Sequence, residues 1–253
     1  MTGELRFENV SVRYRSGRHS LLAVNDVSLV VPPGQVVGLV GESGSGKSTL
    51  ARAAVGLSPV AAGQVLLDGT DVRGLAGRSS PLRMVFQDPY SSLDPRMSVG
   101  ASIREALPRT IRRDRVASEA EVARLLELVG LPRGRTHALP SQLSGGQRQR
   151  VSIARALAGR PEVLIADEIT SALDVSVQGS VLNLMRDLQR QMGLSTLFIS
   201  HNLAVVRYVS DVIAVMRGGR LVEVGAADDV LTDPQDPYTR ELLASVPSRS
   251  AVL

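Results

Sequence analysis

The chain has 253 residues, 29 basic and 25 acidic side chains, a formal net charge of +4 and no cysteine. That length buries a sizeable core, as one large domain or two closely packed lobes. Without cysteine, disulfides, thiolate zinc sites and cysteine-ligated iron–sulfur clusters are excluded, and so small a charge excess gives no indication of a nucleic-acid partner. No run approaches the 18 apolar residues of a membrane span, and MTGELRFENV lacks a basic-then-apolar leader, so the expectation is a protein of the cell interior. The three histidines, His19, His137 and His201, are too scattered for a sequence-local metal motif.

LRFENVSVRY alternates apolar and polar residues as a half-buried edge strand does, and AVNDVSLVV before the turn PPG reads as another strand. VVGL (Val36 to Leu39) is an apolar strand, followed by Gly41, Gly44 and Gly46. The spacing Gly41-x4-Gly46-Lys47-Ser48 fits a phosphate-binding loop that opens a helix. Glycines let backbone N–H groups turn toward phosphate oxygens, and the helix N-terminus adds a positive end. Lys47 is the only lysine in the chain; its ammonium is a point charge on a long stem, unlike the planar fork of arginine. An ordinary Gly/Ser-rich turn is the bland alternative, and a dinucleotide-type glycine loop fits poorly because it needs no Lys-Ser pair.

QVLLDGTDV reads as a short strand, a turn and a bend. Arg112, Arg113 and Arg115 form a basic cluster interrupted by Asp114, read as a solvated helix face ahead of docking to an anionic headgroup or DNA. VASEAEVARLLELVGL has helical period, with Val122, Leu125, Leu126 and Val129 on one face. After Gly145 and Gly146, QRQRVSIARALAG predicts a second helix stacking Val151, Ala154 and Leu157. VLIAD (Val163 to Asp167) suits a strand buried on both faces of a parallel sheet, VQGSVLNLMRDLQRQMG its crossover helix and STLFIS the next parallel strand. DVIAVMRGGRLVEVG suggests a late hairpin, and DPQDPYTRELLASVP a helix packed on the side before a loose tail.

Asp167 ends the buried strand, where α/β ligand sites lie, and Glu168 follows it. Adjacent acids there can divide two jobs, one orienting a metal's water shell and the other taking a proton from an attacking water. LSGGQRQR (Leu143 to Arg150) sets small residues before a helix, a second possible anion site far along the chain from the first. A head-to-tail dimer, with this segment closing on nucleotide held by the partner's loop, would resolve the duplication, and the sequence physics only makes it possible.

Together the glycine loop, LSGGQ, the ADE strand end and the late histidine resemble the ATPase subunits of ABC transporters, over roughly residues 4–225. The resemblance implies an α/β fold of the P-loop NTPase class. A RecA-like core and an N-terminal antiparallel β subdomain would occupy 1–87 and 159–225, an inserted α-helical subdomain 88–158, and a C-terminal helix and tail 226–253. It implies ATP and Mg²⁺ as ligands. Tyr14 would stack on adenine, and Gly41, Ser43, Gly44, Ser45, Gly46, Lys47, Ser48 and Thr49 would hold the phosphates. Ser48, Gln87 and Asp167 would hold the metal, with Gln87 also sensing it and contacting the transmembrane partner. Glu168, His201 and Lys47 would be catalytic, His201 touching the γ-phosphate. Ser144, Gly145, Gly146 and Gln147 would close over the partner's ATP, and the segment Ser171 to Asp174 would communicate across the dimer.

Finer wording narrows the branch. MVFQDPYSSLDPRMSVG, DEITSALDVSVQ and DPQDPYTRELLASVP resemble the importers of dipeptides, oligopeptides and nickel. That implies permease subunits, a second ATPase subunit (a heterodimer ahead of a homodimer), an extracytoplasmic solute-binding protein engaged indirectly, and a peripheral place on the cytoplasmic face of the membrane. The ATPase-like component of a phosphonate carbon–phosphorus lyase is the alternative. Two departures stand out. Ile169 takes a position that is usually proline, which restores a backbone N–H and frees φ, so the turn into Ser171 to Asp174 is expected to be less rigid. The chain also stops soon after Pro247 without the cysteine-bearing extension many peptide-importer ATPases carry, which suggests a short member or its partner.

Overall fold

The computed structural model describes residues 3–16, 19–75 and 81–245, so the expected tail beyond 245 lies outside the described residues. In chain order, β1 (Leu5–Ser16) and β2 (His19–Val31) lead into β3 (Val36–Val40), the glycine loop and α1 (Lys47–Ala54). β4 (Val60–Leu67), β5 (Thr70–Asp71) and β6 (Leu82–Val85) follow, then α2 (Val99–Ala106), α3 (Arg109–Arg113), α4 (Arg115–Leu128) and α5 (Gly145–Ala158). The remainder is β7 (Val163–Asp167), α6 (Val175–Met192), β8 (Ser195–Ser200), α7 (Leu203–Val209), β9 (Val212–Arg217), β10 (Arg220–Ala226), α8 (Ala227–Thr232) and α9 (Pro237–Ala244).

Two sheets result. The first is antiparallel with order β2-β1-β4-β5; the second has order β10-β9-β3-β8-β7-β6 and is parallel from β9 to β6. β1 alternates as expected, with Leu5 and Phe7 buried, but it is not an edge strand: it pairs with β2 on one side and β4 on the other. Alternation reports how many faces are buried, not how many neighbours a strand has. β6, which the sequence reading did not separate from its surroundings, adds the edge strand beside β7.

In the second sheet β3, β7 and β8 are buried at every position, as mostly apolar strands covered on both faces are, while β10 at the edge is not. Leu164 and Ala166 join one core cluster, while Val163 and Ile165 join the other. α1 packs between the sheets through Leu50, Ala51, Ala53 and Ala54. The opposite cluster includes α4 and α5, whose Val122, Leu125, Leu126, Val129, Val151, Ala154 and Leu157 are buried as their period predicted. The arginine cluster lies on the surface there, Arg115 pairing with Glu119 at 2.9 Å in the exposed first turn of α4.

Candidate functional site

Strand register places the chemistry at one edge of the parallel sheet. Val40 is level with Ser200 and Asp167 with Ile199, so the ends of β3, β7 and β8 deliver the glycine loop, Asp167–Glu168 and His201 to one rim. Val85 is level with Ala166, so Gln87, two residues on, reaches the same rim.

The loop closes tightly against its own fold. Gly41 has φ 151°, and a Cβ there would sit 2.0 Å from the Met216 carbonyl oxygen; Gly46, at φ 104°, would meet the Ala23 carbonyl at 2.4 Å. Only glycine fits both positions. Ser43 and Gly44 face outward, and Ser45 is buried with its carbonyl accepting from Gly219 N–H at 2.9 Å. α1 starts at Lys47 with no side-chain cap, so its first-turn N–H groups, Ser48 and Thr49 included, have no cap acceptor. An uncapped helix end behind a glycine loop suits an anion.

Lys47 is only 4% exposed and makes no ion pair among the described residues. Its Nζ donates to the carbonyls of Gly41 and Glu42, each at 2.8 Å, and lies 3.4 Å from Ser45 Oγ. Burial lowers its pKa, against the opposing pull of Glu168, Asp167 and Glu42. A buried ammonium satisfied only by neutral oxygens leaves positive charge for a ligand to neutralise. Ser48 Oγ donates to Asp167 Oδ1 at 2.9 Å, tying α1 to the end of β7. Asp167 is 2% exposed, and burial raises its pKa, opposed by the Ser48 bond.

Glu168 turns the other way because its backbone is left-handed, φ 47°, a conformation costing about 1–2 kcal/mol for an L-residue. The turn is held by Glu168 N–H donating to the Ile199 carbonyl at 3.0 Å and by Ser171, whose N–H and hydroxyl both donate to the Glu168 carbonyl at 3.1 and 2.9 Å. Ile169, where the resemblance usually has proline, is 1% exposed and packs into the core beneath this turn. On the solvent side Gln87 Nε2 donates to Glu168 Oε2 at 3.0 Å and His201 Nδ1 lies 3.3 Å from the same oxygen. Asn202 caps α7, its Oδ1 accepting from Ala204 N–H at 3.0 Å.

Other expected residues sit apart. Tyr14 is half exposed on β1 and its hydroxyl bonds Ser58 Oγ at 2.7 Å, beyond the C-terminal end of α1, with no hydrogen bond to the loop. Ser144 caps α5: its Oγ accepts from Gln147 N–H at 3.3 Å while Gln147 Oε1 accepts from Ser144 N–H at 3.1 Å. Gly146 permits a close approach to α6, since a Cβ there would meet Val177 at 2.4 Å. Asp174, at the start of α6, is exposed with no side-chain cap bond. The Ser144 to Gln147 segment and Asp174 thus form a neighbouring surface, with no hydrogen bond to residues 41–49 among the described residues.

The sequence reading missed Tyr238. Its hydroxyl accepts from Glu42 N–H at 3.0 Å, so α9 touches the glycine loop instead of merely packing on the side. The Asp236-Pro237 helix start was a legible signal that Tyr238 falls in a first turn; its target was not.

Comparison with known proteins agrees with this geometry. The ABC transporter family profile matches residues 24–171. A putative peptide import ATP-binding protein of Brucella abortus (strain 2308) is 49% identical over 241 residues, covering 93% of this chain and 72% of the relative. The oligopeptide transport ATP-binding protein OppF of Bacillus subtilis (strain 168) is 44% identical over 250 residues, covering 96% and 82%. Both alignments extend beyond the 4–225 resemblance. Among solved structures, the dimeric post-hydrolysis ATP-binding cassette MJ0796 bound to ADP and phosphate superposes with a TM-score of 0.75 at 26% identity, covering 88% of this chain and 98% of that one. The chain belongs to the ABC transporter family, as an ATP-binding and ATP-hydrolysing subunit.

Proposed function

We propose that this subunit powers a membrane importer of peptides or a related small solute such as nickel. It would act in a dimer whose ATP lies between the glycine loop of one subunit and Ser144 to Gln147 of the other. The observation that carries the catalytic half is the Glu168 carboxylate, bracketed by Gln87 and His201 one residue beyond the buried Asp167. The cargo class rests on the peptide and oligopeptide transport relatives.

The uncapped start of α1 and the ammonium of Lys47 bind the phosphates, and Tyr14 stacks on adenine. Ser48, Asp167 and Gln87 hold Mg²⁺. The donor set suits a hard cation that takes few protein oxygens beside phosphate and water: a hydroxyl and a carboxylate already in contact, with an amide on the same rim. Among the described residues no cluster of three His, Cys, Asp or Glu competes with it. When bound, the ion neutralises charge on the transferring phosphoryl oxygens. Glu168 accepts a proton from the attacking water; His201 holds that carboxylate through Nδ1 before contacting the γ-phosphate. Ser144 and the α5 N-terminus of the second subunit add donors as charge develops.

The stretch after Gln87 links this chemistry to the helices. Arg148 lies 4.1 Å over the Tyr90 ring, Ser92 and Ser152 share a 2.8 Å hydrogen bond, and Arg155 donates to the Ser92 carbonyl at 2.8 Å. A groove of about 600 Å³ between Gln87–Ser92, Glu105 and Arg155 is where a cytoplasmic helix of a permease docks. The assembly holds permeases, a second ATPase subunit, different from this one in preference to identical, and indirectly a solute-binding protein; the chain sits peripherally on the cytoplasmic face. Affinity purification from detergent-solubilised membranes should recover permease and second ATPase together. Recovery of only a soluble carbon–phosphorus-cleaving complex would overturn the importer reading.

A further inference from the structure

α9 begins behind a cap its own sequence builds. The Asp236 carboxylate accepts from Tyr238 N–H at 2.8 Å, and Glu223 of β10 accepts from the N–H groups of Gln235 and Asp236 at 2.8 and 3.2 Å. Arg240 Nε donates back to the Pro234 carbonyl at 2.9 Å. This fixed first turn aims Tyr238 inward, where it is 2% exposed with the Arg217 guanidinium 4.5 Å from its ring centre. Its hydroxyl then accepts from the Glu42 N–H. The carbonyls of Gly41 and Glu42 are the ones that receive Lys47 Nζ. The opening of the loop is therefore held from two sides, by Lys47 from within and by α9 from without. Leu242 and Ser245 line a cavity of about 230 Å³ with Gly41, His201 and Asn202, so the same helix backs both the loop and the histidine.

We propose that Tyr238 is a positioning residue: its hydroxyl fixes the Glu42 amide, presetting the loop opening and Lys47 for the terminal phosphate of a nucleoside triphosphate. In such loops the lysine reaches the β- and γ-phosphates while amides cradle the α- and β-phosphates. A bond at the end where the Lys47 tip lies therefore acts more on ATP than on ADP. The proposal rests on the reading of residues 41–49 as the phosphate loop.

The test is calorimetric titration of the full chain with ATP and with ADP, each with Mg²⁺, on wild type, Tyr238→Phe and Lys47→Ala. Amide hydrogen exchange at Glu42 without nucleotide is read alongside. Phenylalanine keeps the ring beneath Arg217 and removes the hydroxyl, with both its bond to the Glu42 N–H and its interaction with the Glu42 side chain. ATP affinity should fall about threefold to tenfold, the worth of one hydrogen bond, with a smaller fall for ADP and faster exchange at Glu42 alone. A purely structural role would lower both affinities in step and leave their ratio at the wild-type value, which overturns the proposal. Unchanged Glu42 protection overturns it as well, with no nucleotide involved. If Lys47→Ala binds ATP like wild type, the loop reading fails and takes the proposal with it. Lost binding in Lys47→Ala with an unchanged ratio in Tyr238→Phe overturns the Tyr238 role alone.

Discussion

The sheet rim and the helical region carry opposite kinds of order. At the rim, Lys47 and Asp167 are almost fully buried, Ser48 binds Asp167, and Glu168 is engaged by Gln87 and His201. In the helical region the core is apolar, the charges of α4 pair on its surface, and the outward tip, Ser144 to Gln147, satisfies itself through its own cap. Burying charged groups is expensive without compensation, so the rim sets Lys47 among carbonyl oxygens and within the pull of Glu168, Asp167 and Glu42, whereas the helical tip is satisfied by its own cap. Under the proposed dimer, the contrast means that one half of the site is assembled inside the chain while Ser144 to Gln147 would be presented to a second molecule.

The hardest blow to the rim is Glu168→Gln. It should lower phosphate release by about 10²–10⁴-fold, the usual worth of a positioned base, while ATP binding is retained and a closed dimer accumulates. Phosphate release paired with size-exclusion chromatography in ATP and Mg²⁺ measures both. Ser144→Arg tests the other half. Dimer-dependent hydrolysis should drop about 10²–10³-fold, as when one transition-state donor is lost, with ATP affinity of the single chain unchanged. Full activity from a chain that stays monomeric at every concentration would erase the distinction between the halves. A silent wild type that a copurified second ATPase restores would place the second half on a different chain.

The smallest effect belongs to the surface of α4. Arg124 holds the Glu121 carboxyl below its ordinary value of 4.5, chiefly through their hydrogen bond. A lowered carboxylate pKa stabilises above the unfolded value, and that contribution is lost as pH falls through the folded one. Because the Arg124 side chain is 55% exposed, the pair is worth less than about 1 kcal/mol. Glu121→Gln should therefore lower the melting temperature slightly at pH 7, and the difference from wild type should close in acid below the folded value. A difference that persists there would assign the effect to packing and not to charge.

Much of this was legible in one dimension because its physics is local. Gly41-x4-Gly46-Lys47-Ser48 encodes a loop within ten residues of chain, the continuous apolar run of VLIAD encodes burial on both faces, and the α4 period encodes its buried side. Asp167 and Glu168 could be named because strand ends in α/β sheets are where ligand groups gather, whereas Tyr14, Gln87 and His201 were named only through the family resemblance. Which partner each one met was another matter. β1 gained a second neighbour that its alternation does not encode, and Ile169 packs into the core beneath the turn. The left-handed turn that separates the Glu168 carboxylate from Asp167 depends on the Ile199 carbonyl, and Tyr238 meets Glu42 across 196 positions. Sequence by itself determined most of the elements, the glycine loop and the acidic strand end, since period and spacing act over a few residues. Only tertiary structure decided their neighbours, because contacts between distant segments follow from strand order and packing, which no local pattern records.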